Sequence, residues 1–491
     1  MTEGREFKRE LKLLDAAMIV MGSMIGSGIF IVSADITRTL GGPGWLLVSW
    51  LIAGLITVIG ALSYGELASM MPRAGGQYVY LREAYGPLIA FLYGWTMFLV
   101  IQTGTIAAVA VAFAKFTAVL IPALGENVVL LDAGLFKVTA ARVVAIASIL
   151  CLTWVNSRGL HGGKIVQNVF TIAKTVALLG LIGLGLALGR NAQAIAANLA
   201  GFWHAAWTHV SDGAITSVEP LAGLALLGAI GVSLVGSLFA CDAWNNITFT
   251  AGEVVEPRRT IPWSLFLGTG AVVGLYLLAN VAYILMLPAQ GAPGAPDVFG
   301  RGIQFAASDR VGVAAATMLF GAPAAVIMAG LIMVSTFGCN NGLILAGARV
   351  YYAMAQDRLF FRKVGVLNDR AVPGVGLVVQ GVWASLLCLS GTYSNLLDYV
   401  VFAVLIFYIL TVWGIFVLRR TRPGDERPYR AFGYPVVPLL YVLAAAAIAL
   451  DLLVMKPQYT WPGLGIVLLG LPAYLVWARR GRKPQPPAGN T

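Results

Sequence analysis

Apolar stretches long enough to cross the hydrocarbon core of a bilayer follow one another along almost the whole chain. This repetition constrains the fold strongly, because only helices and closed barrels satisfy their backbone polar groups in lipid. Hydrophobic residues make up 59% of the 491 residues and only 11% are charged, against about a quarter in ordinary soluble domains. We therefore predict an all-α polytopic membrane protein.

Twelve transmembrane helices are predicted within one membrane domain, residues 13–480, separated by turns rich in Gly and Pro and by polar loops. Residues 77–85 are predicted to lie at the inner interface, anchored by Tyr78, Tyr80 and Tyr85. Residues 190–222 are predicted to form an outer loop with an interfacial helix. The predicted spans are residues 13–32, 45–70, 88–120, 140–154, 165–188, 224–250, 263–287, 314–353, 375–390, 396–417, 436–453 and 463–477.

The basic residues are distributed unevenly between the two sides of this arrangement. Most of the 33 Lys and Arg residues lie on one side, together with residues 1–12 and the tail 481–491. The positive-inside rule makes both termini cytoplasmic. No basic cluster accompanies a soluble module, so nucleic-acid binding is not expected. The four Cys and three His residues show no metal-ligand spacing, so no metal or cofactor is expected either.

The first span is interrupted by small residues over Met21–Phe30. Gly22, Gly26 and Gly28 lie within it, and each interior Gly costs a helix about 1 kcal/mol relative to Ala. One interpretation is a small-residue packing face, since Gly22 and Gly26 form a GxxxG pair. The other is a broken helix, whose second half presents free N–H groups and a positive dipole end to a carboxylate.

The sixth span carries a second interruption over residues 239–246, where Asp242, Asn245 and Asn246 are costly in hydrocarbon. The two interrupted spans are five helices apart, so the second copy of a repeat would enter from the opposite side of the membrane. We predict a 5+5 inverted repeat, with copies at about 13–189 and 224–418 and two extra helices at about 436–478. Paired broken helices indicate a transporter site at the membrane midplane, which favours the broken-helix interpretation.

These motifs resemble the amino acid–polyamine–organocation superfamily, close to its L-type amino acid transporter branch. The resemblance covers almost the whole chain and implies a fold like that of LeuT-type transporters, with spans one and six unwound around a zwitterionic amino acid. The most specific matching segments are residues 22–30, 72–95, 237–262 and 334–349.

The resemblance also implies roles for residues in span one. Ser27 and Gly28, with Gly26 before them, would offer backbone N–H groups to the substrate carboxylate. Met24 would line the pocket. The same inference follows independently from the dipole of a broken helix.

In span six, the resemblance assigns the carbonyls of Phe239 and Ala240 to the substrate amino group, and the Phe239 ring to an outer gate. Asp242 has two interpretations. It contacts the amino group or a polar substrate side chain, or it caps the second half of the span. Cys241 and Ala243 stand where bacterial relatives often have Tyr and Gly, which changes the pocket volume.

Lys174 lies in the middle of span five, where a charge is expensive and functional by default. The resemblance places it where relatives carry a lysine instead of a sodium ion, connecting span one to span eight. Ser335 and Thr336 are its expected polar neighbours. Lys174 could instead carry a proton, or extend its ammonium to the interface. Sodium coupling is not expected, and exchange and proton symport both stay open.

The predicted function is transport of α-amino acids by alternating access across a bacterial inner membrane, with no chemistry performed on them. The apolar residues Met24, Phe239, Ala240 and Ala243 favour neutral L-amino acids, and Asp242 keeps cationic amino acids or amines as the alternative. A membrane enzyme would need clustered acid, base or metal residues. A receptor that binds an amino acid without moving it is a more distant alternative.

Two further expectations concern partners and ion pairs. Eukaryotic members of this branch bind a single-span glycoprotein through a disulfide, but no Cys lies between spans three and four here. No disulfide-linked ancillary subunit is therefore expected. Glu66 and Glu253 are expected to pair with basic residues of the inner loops.

Overall fold

The computed structural model describes residues 7–132, 137–211, 213–321, 323–389 and 393–481. Within these ranges, eleven helices are long and apolar enough to cross a membrane, which confirms the polytopic helical fold. The predicted span 375–390 corresponds to Gly374–Leu387, a helix of only 14 residues. The number of twelve spans therefore stays a prediction.

Helices of the first half reproduce the predicted order of spans. Span three includes one π-helical turn at Met97–Ile101. The α-helices are Leu13–Met24, Gly28–Leu40, Pro43–Met70, Gln77–Tyr85, Pro87–Thr96, Gln102–Leu120, Ala140–Ser157, Leu160–Ala187 and Ala192–Ala200, with a 3-10 turn at Pro122–Leu124.

In the second half, the predicted span 314–353 is divided. A short helix, Val311–Phe320, precedes the long helix Pro323–Gln356, because the Gly-Ala-Pro sequence 321–323 favours a break. The α-helices are Gly223–Ala240, Asn246–Phe249, Pro257–Met286, Val298–Arg301, Val311–Phe320, Pro323–Gln356, Gly374–Leu387, Tyr393–Thr421, Val436–Met455 and Pro457–Gly481, with 3-10 turns at Ala251–Glu253, Ala307–Asp309 and Arg362–Gly365.

Two antiparallel hairpins join spans on the predicted outer side. Val129–Asp132 pairs with Lys137–Thr139, and Ala206–Ser211 pairs with Ala214–Pro220. The second hairpin, called the outer hairpin below, follows the helix Ala192–Ala200. The helix in residues 190–222 was predicted, but the hairpin was not.

A glycine-rich turn binds the outer end of span one to the segment that leads into the outer hairpin. The N–H of Gly42 donates to the carbonyl of His204 at 2.7 Å, and that of Gly44 donates to the carbonyl of Phe202 at 2.9 Å. A Cβ atom at Gly42 would lie 2.6–2.8 Å from three backbone oxygens. The close backbone approach explains why small residues occupy this turn.

The short helix Gln77–Tyr85 has the predicted bounds but not the predicted environment. Tyr78 and Tyr80 are at most 1% exposed, so the expectation that they anchor the chain at the lipid interface is wrong. Tyr78 donates to Asp357 at 2.8 Å, and Tyr85 donates to the carbonyl of Leu410 at 2.7 Å. Aromatic side chains with a polar tip suit a buried helix as well as an interface, and here the helix packs under span ten.

Ion pairs and backbone hydrogen bonds connect separate segments of the chain at the predicted inner face. Glu66 accepts from Arg419 at 2.6 Å, as predicted for an inner-loop partner. Glu253 accepts from Arg349 at 2.9 Å with both side chains at most 2% exposed, although Arg349 belongs to span eight and not to a loop. The N–H of Leu11 donates to the carbonyl of Glu253 at 3.0 Å, so the N-terminal segment packs on the same region.

Candidate functional site

The break in span one leaves backbone donors free inside the protein. The span is helical over Leu13–Met24 and again over Gly28–Leu40. The N–H groups of Gly26, Gly28 and Ile29 have no acceptor in the part of the chain that the structure describes. They lie at the start of a 13-residue helix, where the dipole is positive. The arrangement can bind a carboxylate.

The carbonyls of the same break are bound by Lys174. Its ammonium donates to the carbonyl of Gly22 at 2.5 Å and to that of Ile25 at 2.7 Å, and lies 3.5 Å from that of Ser335. Lys174 is 1% exposed, so the alternative that it extends to the membrane interface is wrong. One side chain therefore connects spans one, five and eight.

Span eight adds a second contact to the break. The hydroxyl of Ser335 donates to the carbonyl of Ile25 at 3.2 Å and lies 3.4 Å from that of Gly26. Thr336, the other expected neighbour of Lys174, instead donates to carbonyls of its own helix. A threonine hydroxyl inside a helix commonly donates to a carbonyl of the preceding turn in place of a contact with another helix.

The break in span six joins Gly223–Ala240 to one helical turn at Asn246–Phe249. Ala243, between them, has a φ of 65°, the left-handed conformation that Gly adopts without strain. The carbonyl of Phe239 accepts from the N–H of Asp242 at 3.1 Å. The backbone here leaves the helix through a tight turn.

Two buried side chains that the sequence did not single out bind the unwound segments. The hydroxyl of Tyr276 lies 2.9 Å from the carbonyl of Met24 and 3.2 Å from that of Ala240, so it bridges the two breaks. The thiol of Cys339 donates to the carbonyl of Ser23 at 2.9 Å. Tyrosine and cysteine within apolar spans indicate ordinary packing, so no sequence signal points to these contacts.

The two breaks touch at Gly28 and Ala240. A Cβ atom at Gly28 would lie 2.5 Å from the Cβ of Ala240, so only glycine permits this approach. Met24, Ser27 and Phe239 are 3%, 1% and 8% exposed. The residues predicted to surround the substrate are thus brought together and closed to solvent.

Asp242 does not cap the helical turn that follows it, because the residue at that position is Asn245. Its carboxylate accepts a hydrogen bond from the hydroxyl of Tyr408 in span ten at 2.6 Å. Asp242 and Tyr408 both line two small cavities beside unwound span six. The first cavity is completed mainly by Gln77, Tyr93, Gln102, Thr105, Asn245 and Asn246, and the second by Thr57, Cys241, Trp244, Val401, Leu405 and Tyr441.

Comparison with known proteins identifies the family of the chain. A family model described as an amino acid permease matches residues 11–472. The chain is similar to b(0,+)-type amino acid transporter 1 of Homo sapiens, at 29% identity over 97% of this chain and 91% of the relative. It is also similar to large neutral amino acids transporter small subunit 2 of Homo sapiens, at 30% identity over 98% of this chain and 83% of the relative. Asc-type amino acid transporter 1 of Mus musculus is 27% identical over 97% of this chain and 83% of its own length. All three relatives are named as amino acid transporters.

Proposed function

The chain belongs to the amino acid permease family, and from that premise we propose that it carries neutral L-amino acids across a bacterial inner membrane without sodium. It is a multi-pass membrane transporter of amino acids and not an enzyme. The mechanism is alternating access, by exchange or by proton symport.

One observation supports this proposal above the others. The free N–H groups of Gly26, Gly28 and Ile29 lie where the two unwound segments meet. Such a cluster of donors at a helix start suits the carboxylate that every α-amino acid carries. The carbonyls of Phe239 and Ala240, at the end of the first half of span six, already accept from the N–H of Asp242 and the hydroxyl of Tyr276, and the second lone pair of each suits the α-amino group.

Lys174 supports transport without sodium. Its ammonium binds carbonyls of the break in span one, so a positive charge already lies at this junction of three spans. A sodium ion would bring a second positive charge to the same group of oxygens. As a fixed tether the lysine fits an exchanger, and as a proton carrier it fits a symporter.

Purified protein in liposomes tests these proposals. Labelled leucine is added outside vesicles that are empty or loaded with unlabelled leucine, in sodium or choline buffer, at equal pH or with the outside acid. Uptake that requires internal leucine and ignores pH identifies an exchanger. Accumulation in empty vesicles under the acid gradient identifies a proton symporter. Uptake that requires sodium contradicts the proposal, and binding without any uptake would instead identify a receptor.

A cationic amino acid is the second candidate substrate. Asp242 lines both cavities, and no Lys or Arg is among the residues described around them. Competition against labelled leucine by lysine, and separately by alanine, distinguishes the two classes.

We also propose that the protein works without a disulfide-linked ancillary subunit. One relative is named as a small subunit, but the four cysteines of this chain lie at Cys151, Cys241, Cys339 and Cys388. None of these lies in the outer connection between spans three and four. Uptake by the protein purified alone supports the proposal, and rescue of an inactive preparation by an added subunit contradicts it.

Both termini are proposed to be cytoplasmic, from the excess of Lys and Arg in the loops on that side. Reporter fusions at each terminus test this orientation. An active periplasmic phosphatase at either end contradicts it.

A further inference from the structure

Asp242 is the one charged side chain among the described residues that line the two cavities beside unwound span six. It follows Ala240, which touches Gly28 of span one, by two positions. The break in span one and the two cavities therefore meet the same unwound segment of span six, the first at Ala240 and the others at Asp242.

Tyr408 binds that carboxylate directly. The hydroxyl-to-carboxylate distance of 2.6 Å is typical of a strong hydrogen bond to a charged acceptor. Tyr408 is 7% exposed, and its ring contacts Trp244 and Tyr64 with centroids 5.4 and 5.7 Å apart. These ring contacts orient the Tyr408 side chain so that its hydroxyl points at the Asp242 carboxylate.

The first cavity offers neutral hydrogen-bonding groups instead. Both polar atoms of the Asn246 side chain, and the hydroxyl of Tyr93, are buried and have no partner in the described part of the chain. Buried polar groups without partners are unfavourable until a ligand or water supplies them. The charge beside this cavity is thus engaged, while the Asn246 amide and the Tyr93 hydroxyl have no partner among the described residues.

We propose that Tyr408 is a positioning residue that determines specificity, because it holds the Asp242 carboxylate against span ten and so withholds it from cationic substrate side chains. The proposal rests on the amino acid transport proposed above and deepens it. A lysine-like substrate must displace the phenol before it can pair with Asp242, whereas a neutral side chain leaves this hydrogen bond intact. Removing the hydroxyl frees the carboxylate for a cation.

The test compares uptake of labelled lysine and labelled leucine in liposomes. Tyr408→Phe is expected to raise the lysine-to-leucine ratio of Vmax/KM roughly tenfold or more, since hydrogen bonds to charged groups lie in the range that gives this factor. The gain should appear as a lower KM for lysine. Asp242→Asn alone should leave the ratio within about twofold, and the double variant should return to the wild-type ratio.

Tyr85→Phe is the matched control, because it removes a tyrosine hydroxyl that also bonds span ten, at the carbonyl of Leu410, away from both cavities. Its ratio should equal that of wild type. An unchanged ratio in an active Tyr408→Phe overturns the proposal. Loss of lysine uptake in Asp242→Asn also overturns the proposal, because it would show that the wild-type carboxylate already binds lysine. This second measurement does not depend on whether Tyr408→Phe folds. If wild type transports neither amino acid, the proposed function fails instead.

Discussion

The ammonium of Lys174 lies 2.7 Å from the carbonyl oxygen of Ile25, at the point where the first half of span one ends. The contact joins residues 149 positions apart and is buried on all sides. A helix that stops in the membrane leaves carbonyls without partners, and these are costly in a medium without water. Lys174 therefore stabilises the break itself, whatever further role it has in coupling.

Lys174→Met is expected to abolish coupled uptake and to lower stability. Two hydrogen bonds to a charged donor are lost, which corresponds to about 3 kcal/mol or more. The carbonyls of Gly22 and Ile25 lose their common partner. Thermal unfolding in detergent and liposome uptake measure the two effects. Lys137→Met, which removes an exposed surface pair with Asp132, is the control and should change neither. Wild-type uptake by Lys174→Met would contradict the coupling role, and an unchanged unfolding temperature would contradict the stabilising role.

Gly28→Ala is expected to reduce uptake because the new methyl group collides with Ala240. The two Cβ atoms would lie 2.5 Å apart, so the unwound segments must separate. Adding Ala240→Gly removes the opposing methyl group and should restore part of the uptake. Gly180→Ala, where no atom lies within 4 Å of the added methyl group, is the control. A double variant no better than Gly28→Ala would show that the contact is not what limits transport.

Ala243→Gly is expected to raise the thermal unfolding midpoint. The φ of 65° at this residue is unfavourable for alanine by about 1–2 kcal/mol, and glycine adopts it freely. Part of this gain is offset by the greater entropy of glycine in the unfolded chain. Ala229→Gly, inside the helix of span six, should instead lower stability by about 1 kcal/mol. If the two substitutions changed the unfolding midpoint equally, the explanation that the backbone is strained at Ala243 would be wrong.

Arg349→Met is expected to destabilise the protein by about 3–5 kcal/mol, because it leaves Glu253 buried without its cation. Burial already raises the pKa of the Glu253 carboxyl, and the Arg349 guanidinium opposes that effect. Adding Glu253→Leu should recover part of the loss in unfolding temperature. Arg258→Met breaks an exposed pair with Glu426 and should cost less than about 1 kcal/mol. A double variant less stable than Arg349→Met would contradict the uncompensated-charge explanation.

The breaks in spans one and six were predictable because their residues are wrong for a continuous apolar helix. Gly26 and Gly28 weaken span one, and Asp242 is expensive in mid-span. Lys174 was predictable for the same reason, since a charge inside a span requires a compensating partner. Local composition was therefore enough to locate the two breaks and the buried lysine that form the candidate site.

The partners of those residues were not predictable from composition. Asp242 and Tyr408 are 166 positions apart, and nothing in either sequence neighbourhood encodes their hydrogen bond. Tyr276 lies in an apolar span where an aromatic residue ordinarily indicates packing. Tyr80, predicted at the lipid interface, is buried because an amphipathic ring suits either environment. Such contacts depend on how distant helices meet.

The outer hairpin is exposed along most of its second strand. The chain leading into it is hydrogen-bonded to the turn Gly41–Gly44 that ends the outer half of span one. A rotation of that half-helix therefore also moves the segment that leads into the hairpin. An antibody fragment bound to the hairpin is therefore expected to slow the conformational cycle by opposing movement of this half-helix and not by occupying the proposed substrate site.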